Sequence, residues 1–98
     1  MRLAVNRWQV LNELQVRFSY LPADAQKILQ DLESGGVVEF AGAMATLLQP
    51  TSPDAIYVKS LLNISMGKTV TAVSQEKIRE YLNLCLRRVE TRGSAVRV

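Results

Sequence analysis

Apolar residues recur at steps of three and four along most of this chain, and the pattern breaks at Leu21-Pro22, Gly35-Gly36, Pro50 to Pro53 and Met66 to Ser74. That spacing lines one face of a helix, so each uninterrupted run predicts a helix. The first covers about 4–20, with Ala4, Trp8, Leu11, Leu14, Phe18 and Leu21 in register. Pro22 suits the first position of a second helix, where an N–H would have no partner, and Asp24 behind it favours the positive helix start. Ala25, Ile28, Leu29 and Leu32 form its buried stripe, and Gly35-Gly36 supplies a left-handed stop. A third helix is expected over 37–49, where Val37, Phe40, Ala41, Met44, Leu47 and Leu48 share a face opposite the small residues Gly42, Ala43 and Ala45. Ser52 as N-cap, followed by Pro53 and Asp54, opens a fourth over 53–64.

The last helix is expected over 75–91, capped by Ser74 and ended by Gly93. Ile78, Tyr81, Leu82, Cys85 and Val89 share its face, and Leu84 and Leu86 widen the apolar arc. Before it, residues 67–73 alternate β-branched and small side chains without an evident partner strand, which reads as an extended connection. The expected fold is therefore all-α: a compact bundle of four to five short helices, with at most one short extended segment near 69–73. Residues 1–92 form one domain and 93–98 a frayed tail.

Composition narrows the chemistry. With 98 residues, 48% of them hydrophobic, there is material for one core and no second domain. Histidine is absent, which removes the usual general base and the commonest metal ligand, so no enzyme activity, metal or cofactor is expected. The single cysteine, Cys85, cannot form an internal disulfide, and the N-terminus carries Arg7, Trp8 and Gln9 where a signal peptide would be apolar. Both point to a cytoplasmic chain, and no run is long and apolar enough to span a membrane. The net charge of +3 divides into +2 over 1–20, −3 over 21–60 and +4 over 61–98. An acidic centre between basic ends suits self-association or an acidic partner.

Individual motifs carry little chemistry. Gly67-Lys68-Thr69 matches the end of a phosphate-binding loop, but Leu62 stands where that loop needs glycine. Asn63-Ile64-Ser65 is a chance glycosylation sequon in a cytoplasmic chain. Cys85 lacks a base to activate it and reads as a core residue, while Glu76 and Glu80 beside Lys77 and Arg79 read as a solvated helix face. The favoured function is a helical protein–protein interaction module, regulatory, adaptor or chaperone-like, acting as a homodimer or on another protein. Its contacts would be Trp8, Phe40, Met44, Tyr81, Leu84 and Leu86. The alternative is a small DNA-binding transcriptional regulator using Lys68, Arg79, Arg87, Arg88 and Arg92 of the basic C-terminal region.

Overall fold

The computed structural model describes residues 1–69 and 72–96, with backbone alone from 92 onward. The elements follow as β1 (Arg2–Leu3), α1 (Arg7–Val16), α2 (Pro22–Ser34), β2 (Val38–Ala41), β3 (Met44–Leu47), α3 (Ala55–Ser65) and α4 (Gln75–Val96). Four helices and a three-stranded antiparallel sheet of order β1-β3-β2, against which α2 and α3 pack, thus replace the expected all-α bundle.

The correction falls on residues 37–49, which form a hairpin instead of a third helix. Val38 pairs with Leu47 and Phe40 with Ala45 on the inner face, while Glu39 pairs with Thr46 and Ala41 with Met44 on the outer one. The two-residue period of a strand therefore sorts this segment better than the helical one. Of the six residues aligned on the expected helical stripe, only Leu47 is fully buried. Gly42 and Ala43 make the turn, and Gly42 sits at φ 58, the first position of a tight hairpin turn that glycine occupies without strain. Leu3 of β1 pairs with Ala45 on the other edge of β3.

Helix α1 is shorter than expected. Asn6 caps it: its side chain accepts from the Gln9 N–H at 2.7 Å, and the Gln9 side chain accepts from the Asn6 N–H at 2.8 Å. Its buried face is Val10, Leu11 and Leu14, so the stripe is rotated away from Trp8, which is 71% exposed. Helix α2 begins at Pro22 as expected, and the left-handed residue beyond it is Gly36 at φ 69. Helix α3 begins at Ala55, two residues after the expected start, with the Asp54 N–H donating to Ser52 Oγ at 3.3 Å. Helix α4 is capped by Ser74, whose Oγ accepts from the Lys77 N–H at 3.2 Å, and it continues past Gly93 to Val96.

One apolar core joins all layers, with Phe18, Ile28, Leu29, Leu47, Leu61, Leu62, Ile78 and Leu82 among its fully buried members. The extended segment expected near 69–73 centres on residues 70 and 71, outside the described residues, and the tail expected over 93–98 falls where no side chain is described. Among the described residues no helix is long and apolar enough to cross a membrane.

Candidate functional site

The most specific local geometry is the join between α1 and α2. Arg17 closes α1 and Leu21 precedes α2, leaving Phe18, Ser19 and Tyr20 to make the turn. Ser19 is the only non-glycine residue in the left-handed region among those described, at φ 60, a conformation that costs a side-chain-bearing residue energy and must be held by its surroundings. The surroundings do hold it. Phe18 is 1% exposed, with the Arg79 guanidinium 5.9 Å from its ring centroid. The Tyr20 N–H donates to Leu14 O at 3.0 Å, and its hydroxyl donates to Asn83 Oδ1 at 2.5 Å. Gln75 Nε2 donates to Arg17 O at 3.3 Å, so α4 braces the turn at several points. Burial pushes the Tyr20 pKa up, partly offset by Arg79, and keeps the hydroxyl a donor.

The buried stripe of α2 is Ala25, Ile28, Leu29, Asp31 and Leu32; Ala23, Gln26, Lys27, Gln30 and Glu33 are exposed on the opposite side. Arg7 of α1 reaches across to this face, donating from Nε to Glu33 at 2.9 Å and from a terminal nitrogen to Gln26 Oε1 at 3.1 Å. The Glu33 charge is thereby paired, and Lys27 and Gln30 are exposed earlier on α2. The hairpin follows directly after α2 and exposes its tip, residues 41–44, which carries no basic side chain.

A second feature lies where α2 meets α4. A terminal nitrogen of Arg88 donates to Asp31 Oδ2 at 2.9 Å and to Cys85 Sγ at 3.2 Å. The Asp31 side chain is 5% exposed and that of Arg88 49%, so the pair has a buried acid and a half-solvated base. Burial works against the Arg88 charge, but the hydrogen bond to Asp31, together with the influence of Cys85, Tyr81 and the Asp31 charge, more than offsets it and raises the pKa. Burial drives the Cys85 thiol up to about 11 despite Arg88, so it is a neutral core group and no nucleophile. Tyr81 stacks on Tyr57 with ring centroids 5.1 Å apart. Its enclosed hydroxyl makes no hydrogen bond of good geometry, although the Arg88 guanidinium lies 5.9 Å from the ring centroid. Burial, then the neighbouring Cys85, raises the Tyr81 pKa. Beside the Asp31–Arg88 pair opens a mostly apolar cleft of about 650 Å³, walled by Val37, Leu84, Arg87 and Asp54 among others.

The structure does not gather the sequence-derived candidates into one site. Of the contact residues, Trp8 and Leu84 are exposed, Met44 is 39% exposed near the hairpin tip, Phe40 and Leu86 pack against the core, and Tyr81 is buried within it. The basic residues separate as well. Lys68 is exposed ahead of α4, Arg79 covers Phe18, Arg88 holds Asp31, Arg87 is exposed in the cleft, and the Arg92 side chain lies outside the described residues. From the start of α4 to Arg87 the helix rises about 18 Å, too far for one compact phosphate-binding patch. Among the described residues no group of three or more acidic or cysteine side chains is placed to hold a metal ion. The α1–α2 turn escaped the sequence reading because serine gives no signal of a left-handed residue, and Asp31, expected with Glu33 on a solvated surface, is instead buried, as its place between Ile28 and Leu32 on the apolar stripe allows. In comparison with known proteins, no family model, no curated protein and no solved structure matches this chain.

Proposed function

We propose that this chain binds duplex DNA through a helix–turn–helix formed by α1 and α2, with α2 as the helix that enters the major groove. The observation that carries the reading is the three-residue turn with left-handed Ser19, held by buried Phe18 and braced by α4. A helix–turn–helix joins its two helices by a turn of three to four residues, and a residue of positive φ lets the chain change direction within so short a join. The exposed stripe of α2 supports the same reading. Gln30 has a side-chain amide of the kind that pairs bidentately with adenine, Lys27 is a donor to guanine or phosphate, and Gln26, whose Oε1 accepts from Arg7, would have to release that bond to do the same. The reading moves the nucleic-acid face from the basic end of α4 to α2.

The charge is modest. Arg2, Arg7, Arg17 and Lys27 stand against Glu13, Asp24, Asp31, Glu33 and Glu39 in this half of the chain, so it carries no net positive charge. Binding therefore rests on few phosphate contacts, with a log–log salt slope of about −3 or shallower. Fluorescence anisotropy with a mixed-sequence duplex at low salt tests this. Lys27→Glu and Gln30→Glu should each abolish retention, and Arg87→Gln should leave it intact. Absence of binding by the wild-type protein at low ionic strength, or binding indifferent to Lys27→Glu, would overturn the assignment.

A second reading, self-association, is favoured by Trp8 and Val16. They lie two turns apart on one side of α1 and are 71% and 72% exposed. Large apolar side chains in such a row suit a second copy of the chain docked across a two-fold axis.

A further inference from the structure

From the cleft between α2, α3 and α4 we infer a binding site for a small zwitterionic ligand with an apolar body, of the size of an apolar dipeptide with free termini. The site is distinct from the outer face of α2, and the inference does not depend on the DNA reading.

Four charged side chains face the cleft: Asp31, Asp54, Arg87 and Arg88. Two of them answer each other, since Arg88 is hydrogen-bonded to Asp31 at 2.9 Å. Arg87 on α4 and Asp54 at the start of α3 make no ion pair among the described residues. The Asp54 side chain also makes no capping hydrogen bond to α3, although it occupies the N-cap position. One unanswered cation and one unanswered anion thus line one concavity. Val37 and Leu84 line the same cleft, and Leu84 is 49% exposed, an apolar side chain left to solvent.

A volume of about 650 Å³ falls in the range of small-molecule sites, which are mostly apolar with a few convergent polar groups. Charge complementarity selects the occupant. A carboxylate satisfies Arg87 in the fork geometry that guanidinium favours, an ammonium satisfies Asp54, and an apolar body covers Leu84 and Val37. A simple anion would leave Asp54 facing it, and a simple cation would leave Arg87. Only a ligand carrying both charges answers both groups.

The test is isothermal titration calorimetry of the full chain with leucyl-phenylalanine, compared with its N-acetylated and C-amidated forms. The free dipeptide should bind with a Kd below about 1 mM. Arg87→Gln and Asp54→Asn should each weaken it about tenfold, as should each capped form, because a charged hydrogen bond is lost. Circular dichroism of both variants should match the wild type, since neither side chain supports the fold. No heat with the free dipeptide at millimolar concentration would overturn the site, as would equal binding of the capped forms. Sedimentation that shows a dimer broken by Arg87→Glu, without peptide binding, would also overturn it and assign the cleft to a second copy. DNA retention measured in parallel keeps failure of this site separate from failure of the α2 face.

Discussion

Cys85 and Arg88 show how environment sets the role of a side chain. The Cys85 thiol is fully buried, and burial raises its pKa from about 9 to about 11 against the opposing influence of Arg88. Because the folded value lies above the unfolded one, the unfolded chain loses this proton first. The stabilisation is therefore complete below about pH 9 and is lost as pH rises towards about 11. The raised Tyr81 carries the loss further into alkali. Urea midpoints measured from pH 7 to 10.5 should fall with pH in the wild type and fall less in Cys85→Ala; parallel curves would refute the linkage. A thiol reagent at pH 8 should react only after urea is added. Arg88→Met removes the guanidinium that donates to the 5% exposed Asp31. The cost should be about 1–3 kcal/mol by urea denaturation, below the range for fully buried pairs because half of Arg88 already faces water.

The hairpin β2–β3 shows where periodicity misleads. Val37, Phe40, Met44 and Leu47 fit a helical spacing, yet Val38, Phe40, Ala45 and Leu47 fit a strand spacing around Gly42-Ala43 equally well. In so short a run, pairing with β1 and burial against the helices decide the outcome, and both are long-range facts. Helix α2 was legible because Pro22 and Gly35-Gly36 mark its ends chemically, and α4 because Ser74 opens a sustained apolar stripe. The outer stripe of α2 was equally available as the complement of its buried face. What no pattern disclosed was the turn that aims it, since Ser19 is held in place by Phe18, Tyr20 and α4 rather than by its own propensity. Gly42 gives the direct test of the hairpin. A Cβ there meets no atom within 4 Å, so Gly42→Val is penalised only through the backbone at φ 58. It should cost about 1–2 kcal/mol with no change in the native spectrum; a neutral effect would argue against the turn.

The whole molecule joins a braced helix pair to an exposed apolar row on α1, and the two features bear on each other. Helix–turn–helix proteins commonly bind as two-fold dimers, reading half-sites about one helical turn of DNA apart. A chain with few phosphate contacts gains more from such pairing than a strongly basic one, because the second half-site binds at high effective concentration. Under the proposed self-association, exposed Trp8 and Val16 would be the apolar anchors of such a pair, since neither belongs to the core. Sedimentation equilibrium at tens of micromolar should give about twice the monomer mass, and Trp8→Glu should return it to the monomer with its helical spectrum unchanged. Leu86→Glu should instead unfold the chain, because Leu86 packs against the core. On a palindromic duplex the wild type should bind at least tenfold more tightly than Trp8→Glu, whereas on a single half-site the two should be equal. Equal affinity on both duplexes would separate the apolar row from DNA recognition and leave it as a contact for a different protein.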